Sequence, residues 1–406
     1  MEGNVYEAIV VGAGPSGSSC AMLLARKGFK VLLIDKEDFP RDKPCGDAVG
    51  GKALSVLAEL GLEAQLSKKG FLRSSGLIFS SPDGNEVEIP LLFEGKEISG
   101  GFVCRRSDFD DIVFQNAKKM CKTLESTEVV GVIFDAGRAI GVKAKGASGS
   151  EGNYYAKVVI GADGVNSVVA RKGGCLVADP KHYASAVRAY YSGIRGLRGN
   201  IEVHFIPESM PGYFWIFPLS KSEANVGVGM LLSEIAKKKV NLHKVLEQCV
   251  KSKKFEGRFA SAKLEGTVKG WSLPLASSRR KCAGSGFVLL GDAASLVDPF
   301  SGEGIGNGMK SAVIAAEIIG AALKRGEVTL ADCQEYEREL WREIGSDVDY
   351  SYTMQKVLSH GWMLNIAIGK AKKSVWLRNE LAGMIASREA KKKARDPLFY
   401  LRMLLA

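Results

Sequence analysis

Ala8-Ile-Val-Val-Gly-Ala-Gly-Pro-Ser-Gly17 decides the first half of the fold. Its apolar opening is rich in β-branched side chains and reads as a buried strand. Gly12, Gly14 and Gly17 stand at the spacing G-x-G-x-x-G, a helical pattern follows from Cys20 to Lys27, and a second apolar run, Val31-Leu-Leu-Ile-Asp35, reads as another strand. In such a strand-turn-helix-strand unit the first glycine makes the tight turn, the second lets backbone approach a pyrophosphate, and the third lets the helix pack on the strand. The pyrophosphate rests on the helix N-terminus, where free N–H groups and the helix dipole favour an anion. Asp35 ends the second strand, 18 residues after Gly17, placed to accept hydrogen bonds from adenosine ribose hydroxyls. The unit is expected to bind a dinucleotide, and this stretch alone leaves NAD and FAD both open.

The rest of the composition is that of an ordinary globular protein. Of 406 residues, 46% are hydrophobic and 25% charged, which excludes disordered, collagenous and disulfide-framework chains and suits two domains or one large discontinuous one. No run of 18 or more apolar residues occurs, so no bilayer span is expected. The segment from Met1 to Tyr6 has Glu2 as its only charge and lacks a basic secretory start, so the mature chain is expected to begin at Met1 and stay in the cytoplasm. Eight cysteines stand singly, without a Cys-x-x-Cys pair, as free thiols in a reducing compartment do. His182, His204, His243 and His360 show no ligand spacing, and no metal is expected.

Two later segments bear on the cofactor. Val129 to Phe134 and Ala139 to Lys145 read as a hairpin around Asp135 to Arg138, and Tyr154 to Ile160 reads as a strand leading into Gly161-Ala-Asp-Gly-Val-Asn-Ser167. Further on come Gly286-Phe-Val-Leu-Leu-Gly-Asp-Ala-Ala-Ser295 and Asp298-Pro-Phe-Ser-Gly-Glu-Gly-Ile-Gly-Asn307, then a helix through Leu323. A strand ending in Gly291-Asp292 presents a carboxylate to a polyol, and a glycine-rich turn at a helix start presents N–H groups to an electron-rich ring edge. Both suit a cofactor longer than NAD.

The set G-x-G-x-x-G, Ala162-Asp-Gly164 and Leu290-Gly-Asp292, in this order, resembles the FAD-dependent oxidoreductases of the p-hydroxybenzoate hydroxylase type. Within them, Asp42-Lys-Pro-Cys-Gly-Asp47, Gly212-Tyr-Phe-Trp-Ile-Phe-Pro218 and Asn225-Val-Gly-Val-Gly229 look like the geranylgeranyl reductase branch. The resemblance covers roughly residues 5 to 325 and is loose over the last 80 residues. It implies a mixed α/β fold with a discontinuous Rossmann-type FAD domain over 1–71, 100–175 and 276–325. An inserted antiparallel substrate sheet would take 72–99 and 176–275, and a basic helical region 326–406. It also implies that Gly12, Gly14 and Gly17 hold the FAD pyrophosphate and Asp35 the adenosine ribose. Arg106, opening a helix from Ser107 to Cys121, would contact FAD, and Gly291-Asp292 would bind the ribityl chain. Gly302, Gly304, Ile305 and Gly306 would approach the isoalloxazine, and Asp163-Gly164 would shape the site near the pyrophosphate. The bland reading of Arg106 is a solvated arginine at a helix start.

The resemblance places Cys45 beside flavin and substrate. Hydride delivery to an electron-rich prenyl double bond needs a proton at the adjacent carbon, so the loop's acids, Cys45 and Asp47, are the candidate donors. Against this, Cys45 is a small turn residue, or Asp47 caps a helix beginning near Val49. Tyr213, Trp215 and Phe217 alternate and share one strand face, a wall for a long apolar substrate or simply core. No second nicotinamide fold is present, so the reductant is a visiting NAD(P)H or a ferredoxin-type donor.

The net charge is +11, and Lys370 to Ala406 hold ten Lys and Arg against three acids, leaving +4 for the rest. Trp376, Leu377, Leu381, Met384 and Ile385 recur at near-helical spacing there, before Pro397-Leu-Phe-Tyr-Leu-Arg-Met-Leu-Leu405. This fits either a peripheral contact with the inner face of the cell membrane or a helix docked on its own domain; nucleic acid is not expected as a partner. The expected activity is FAD-dependent reduction of a polyprenyl chain on a lipid, quinone or diphosphate. Its rivals are a flavin monooxygenase or halogenase, and a non-catalytic isoprenoid-binding flavoprotein.

Overall fold

The computed structural model describes residues 5–90, 92–93, 96–97, 101–386 and 402. Ala8 to Val11 are buried almost completely, as a strand covered on both faces requires, and strand Val5–Val11 lies inside the first sheet. The order is Lys122–Leu124, Val31–Ile34, Val5–Val11, Glu151–Gly161, Arg138–Gly146 and Thr127–Asp135. The first four are parallel; the last two close the antiparallel hairpin. Strand Glu151–Gly161 has two partners in succession: residues 151–155 pair with the hairpin, and residues 159–161 pair in parallel with Phe287–Leu289. The chain thus returns to its first sheet after building a second.

Close backbone approach explains two glycines of the opening turn. Gly12 has φ +94°, and a Cβ there would lie 2.4 Å from the Ala162 carbonyl oxygen; a Cβ on Gly17 would lie 1.8 Å from the Gly12 oxygen. Helix Pro15–Arg26 buries Gly17 to Leu24 and is crossed by helix Ile305–Lys324. The long helix Leu330–Leu358 is fastened to this layer by Tyr336, which is fully buried and donates its hydroxyl to the Leu289 carbonyl at 2.6 Å.

The second sheet runs Lys263–Pro274, Tyr183–Ser192, Ala224–Leu231, Tyr213–Pro218, Ile201–His204, Gly76–Ser80, Glu86–Pro90. Side-chain alternation gives it two faces. Phe214, Ile216, Val226 and Val228 share a core with Leu242, Leu246, Phe255 and Phe259 from helices outside the sheet. Tyr213, Trp215 and Phe217 point the other way, into a cavity shared with the first sheet. The outer helices and strand change the picture of charge: residues 231–270 hold ten Lys and Arg against four acids, so the basic excess is not confined to the C-terminus.

Helices Gly361–Lys373 and Val375–Ala386 dock on the edge strand Glu86–Pro90, burying Leu364, Ile368, Ala371 and Leu377 with Val87 and Ile89. Leu377 and Leu381 therefore face their own domain rather than a membrane. The side chains of Met384 and Ile385, and the tail from 387 apart from residue 402, lie outside the described residues, as do 91, 94–95 and 98–99 of the expected substrate domain and residue 100 of the expected FAD domain. Among the described residues no helix is long and apolar enough to cross a membrane, and no His, Cys, Asp and Glu cluster could hold a metal ion.

Gly17→Ala is expected to destabilise the ligand-free protein by about 1–3 kcal/mol or more, because backbone must move to admit the methyl group. Gly14→Ala, whose Cβ would meet only an Arg41 nitrogen at 3.6 Å, should change stability by less than ~0.5 kcal/mol. Urea denaturation of the two variants measures the difference.

Candidate active site

A cavity of about 860 Å³ lies between the two sheets. Gly12, Gly14, Asp35, Arg106, Asp163, Gly164, Asp292, Gly302, Gly304 and Ile305 line it, together with Cys45, Tyr213, Trp215 and Phe217. Gly17, Gly291 and Gly306 stand behind its wall. A Cβ on Gly291 would lie 2.7 Å from the Ser16 hydroxyl oxygen, and one on Gly306 would lie 2.2 Å from a Glu303 carboxylate oxygen. These three glycines allow close packing.

Two helices open on the cavity with bare N-termini. Pro15–Arg26 follows Gly14, and Ile305–Lys324 follows Gly304; neither has a side-chain cap or an acid in its first turn. Helix Leu330–Leu358, remote from the cavity at its start, carries a full Thr329/Asp332 capping box. Uncapped N–H groups and the dipole leave each cavity-facing end ready for an electron-rich ligand. Gly14 leaves backbone access at the first helix. Lys43 holds the Asp292 carboxylate at 2.8 Å, and Asp35 accepts the Ala13 N–H at 2.6 Å and the Glu37 N–H at 2.9 Å. Burial pushes the Asp35 carboxyl up from its ordinary value. A pyrophosphate at Gly12 to Ser16, a ribose at Asp35, a ribityl chain at Asp292 and a ring edge at Gly302 to Ile305 fit these groups, so the residues present suit FAD.

Two expected contacts take a different form. Asp163 accepts the Ser167 hydroxyl at 2.5 Å and the Val168 N–H at 2.7 Å, capping the short helix Val168–Lys172. Its charge is directed into the protein, and it shapes the loop that lines the cavity. Arg106 is 3% exposed and donates from Nε and Nη2 to Asp110 at 2.6 and 2.7 Å, which excludes a solvated arginine. Its helix runs Arg106–Lys118, and its guanidinium also reaches Cys45.

The Lys43-Pro-Cys-Gly46 loop lies directly on the aromatic row. A Cβ on Gly46 would fall 2.8 Å from the Phe217 ring, and one on Gly227 would fall 2.2 Å from the Trp215 ring. Trp215 donates its indole N–H to Asn225 Oδ1 at 2.9 Å; Asn225 Nδ2 donates to the Cys45 carbonyl at 2.7 Å and to Asp47 Oδ2 at 2.8 Å. The Tyr190 hydroxyl donates to the same Asp47 oxygen at 2.7 Å. Of the eight cysteines, Cys45 is the one that lines the cavity.

Asp47 departs from both sequence expectations. It is fully buried with φ +67°, it does not line the cavity, and burial pushes its carboxyl up to about 6 despite bonds from Asn225 and Tyr190. Nor does it cap a helix: Ala48–Val49 pairs with Phe102–Val103, and the helix starts at Gly51 behind Gly50.

Several contributors escaped the sequence reading. Lys43 and Asn225 sit inside motifs already quoted, so their signal was present. Tyr190 and Arg188 carry none, because their partners lie far away in sequence: Arg188 reaches Asp42 at 2.6 Å and Lys269 reaches it at 2.7 Å. Those two cations hold the Asp42 carboxyl below its ordinary value, overriding burial, which raises it. Phe205, Met210, Phe300 and Leu358, which belong to one apolar cluster, also line the cavity.

Comparison with known proteins places the chain in a family. Residues 5–343 match the FAD binding domain family. The chain is 32% identical over 365 residues to the digeranylgeranylglycerophospholipid reductase of Methanocella arvoryzae, covering 87% of each. It is 35% identical to the menaquinone reductase of Mycobacterium tuberculosis, covering 77% of this chain and 76% of that one. Among solved structures, a geranylgeranyl bacteriochlorophyll reductase-like protein from Thermoplasma acidophilum superposes with a TM-score of 0.83 at 22% identity, over 97% of this chain and 99% of that one. A flavin-dependent brominase superposes with a TM-score of 0.76 at 25% identity, over 98% and 99%. With its two uncapped helix ends, its Lys-Pro-Cys-Gly loop and its relatives, the chain belongs to the geranylgeranyl reductase family of FAD-dependent oxidoreductases.

Proposed function

We propose that this protein hydrogenates C=C bonds of a polyprenyl chain carried by a lipid, quinone or diphosphate. The observation that carries the reading is the Cys45 loop seated on Tyr213, Trp215 and Phe217 inside one cavity with the bare helix ends. The reductases named above act on lipid or quinone by name, and both exceed 30% identity over most of the chain, whereas the brominase likeness is weaker in sequence. An external donor, NAD(P)H or a ferredoxin-type protein, recharges the site. The protein works in the cytoplasm at the inner face of the membrane, where such substrates reside.

FAD, when bound and reduced, supplies the hydride. The chain's own residues do the rest. Tyr213, Trp215 and Phe217 wall an apolar channel that excludes water and aligns an isoprenoid. Tyr213 is held by donating its hydroxyl to the Ser301 carbonyl at 2.7 Å. Cys45 delivers the proton to the neighbouring carbon and recovers one from solvent. Asp47, shut off from the cavity, positions that loop through Asn225, which grips the Cys45 carbonyl.

Anaerobic mixing of dithionite-reduced holoprotein with a polyprenyl diphosphate should reoxidise the flavin and yield saturated product by mass spectrometry. No reoxidation would indicate a binding protein, and oxygen-dependent reductant consumption without alkene reduction would indicate a monooxygenase or halogenase. Cys45→Ala should retain FAD and lose roughly 10²–10⁴-fold in single-turnover rate, the usual worth of a general acid; an unchanged rate would remove Cys45 from the chemistry.

The Asp47 carboxyl has a definite sign of pH dependence. Its native value, about 6, exceeds the ordinary 3.8, so the folded state holds the proton more tightly than the unfolded state. Stability should therefore fall as pH rises through this window, with the full penalty present above it. Asp47→Asn should remove that slope and stabilise the protein at neutral pH by roughly 1–3 kcal/mol. Melting temperatures across the window check it.

A further inference from the structure

We propose that the outer face of helix Gly361–Lys373 docks on an anionic lipid bilayer and brings the cavity wall at Leu358 and Ser359 close to it. Trp362, at 62%, is the most exposed large hydrophobic side chain among the described residues; Val375, at 61%, is second, and Trp376 beside it is also exposed. Helical spacing puts Trp362, Ile366 and Lys373 on one stripe, with Lys370 and Lys372 on its flanks. The opposite stripe, Leu364, Ile368 and Ala371, is buried in the protein, so the outer stripe is presented by a helix already anchored.

Charge agrees with the apolar pattern. Residues 356–379 contain five Lys and Arg and no acid. Two carboxylates adjoin this stretch: Glu380, one residue beyond it, and Asp83 in the adjoining turn, which accepts hydrogen bonds from Ser81 and Asn85 while its N–H donates to Asn365. Lysines flanking an exposed tryptophan suit a bilayer interface, where headgroups meet the cations and the indole sits at the polar-apolar boundary. An acidic protein would engage the lysines but leave Trp362 and Val375 unexplained.

The position connects this face to the site. Gln355, Leu358 and Ser359, at the end of the preceding helix, line the cavity as Phe300 does, and Trp362 follows three residues later. A lipid chain leaving the bilayer at Trp362 is thus three residues from side chains that line the cavity. The other basic concentration, residues 231–270, has a single exposed large hydrophobic, Leu264, and its residues 232–270 contribute nothing to the cavity lining. The bilayer contact stands on exposure and charge; only its purpose, admission of an isoprenoid, rests on the function proposed above.

The test is sedimentation of the full-length, FAD-loaded protein with phosphatidylcholine vesicles, with and without a quarter phosphatidylglycerol. Three variants are compared: Trp362→Ala, the triple Lys370→Glu, Lys372→Glu and Lys373→Glu, and a control triple Lys244→Glu, Lys253→Glu and Lys263→Glu. Each surface lysine is worth roughly fivefold in affinity, so the helix triple should weaken binding to anionic vesicles at least about tenfold and Trp362→Ala about threefold. The control should change it less than about twofold, all at unchanged FAD content and melting temperature. Turnover of a detergent-dispersed isoprenoid should persist in both helix variants and fall in vesicles in step with binding. Vesicle binding that is indifferent to the helix variants overturns the proposal, as does binding lost only in the control triple or on deleting 387–406. If no isoprenoid turns over in any format, the proposed function fails while the sedimentation still decides the docking surface.

Discussion

The buried side-chain amide of Asn225 ties the second sheet to the Lys43-Pro-Cys-Gly46 loop that lines the cavity. Its oxygen receives the Trp215 indole N–H, and its nitrogen donates to the Cys45 carbonyl and the Asp47 carboxylate. All three partners constrain its orientation, because indole nitrogen only donates while a carbonyl and an ionised carboxylate only accept. A rotated amide would oppose donor to donor and acceptor to acceptor in a site without water access, where an unpaired polar group costs about 1–3 kcal/mol. The aromatic wall and the cysteine loop are therefore aligned by one side chain that touches both.

Ion pairs on either side of that seam hold the loop against rotation. Asp42 is gripped by Arg188 and Lys269 from the second sheet, while Lys43, one residue later, reaches back to Asp292, which follows strand Phe287–Leu289 of the first. Arg188 is buried, so removing Asp42 would strand a charge, a larger loss than the pair's own attraction. Successive residues tied to different sheets fix the loop's position between them. Gly46 then brings its backbone against Phe217 without a side chain in the way.

Local patterns were legible because the physics behind them is local. The spacing of Gly12, Gly14 and Gly17 states a turn, and the alternation of Tyr213, Trp215 and Phe217 states a strand face; both stand in the structure. Asp47 misled because the apolar residues after it resemble a helix start, whereas Ala48 and Val49 first pair with Phe102 and Val103. Tyr190 and Arg188 were invisible for a different reason: their partners lie 143 and 146 residues away, and no spacing rule within a strand encodes that. The second basic concentration was hidden by summation, since residues outside 231–270 and the C-terminus are net acidic and cancel part of it.

The same distinction separates the two faces of the C-terminal helices. An apolar position at helical spacing says only that a side chain seeks burial; it does not say against what. Leu364, Ile368 and Leu377 find the edge strand Glu86–Pro90, which satisfies the ordinary reading of a docked helix. Trp362 and Val375 remain exposed after that docking is complete, so packing among the described residues leaves their hydrophobicity unused. An isolated exposed side chain needs no explanation in a soluble protein. Two strongly exposed ones, set among lysines and three residues beyond the cavity-lining Ser359, are what the proposed bilayer contact would cover.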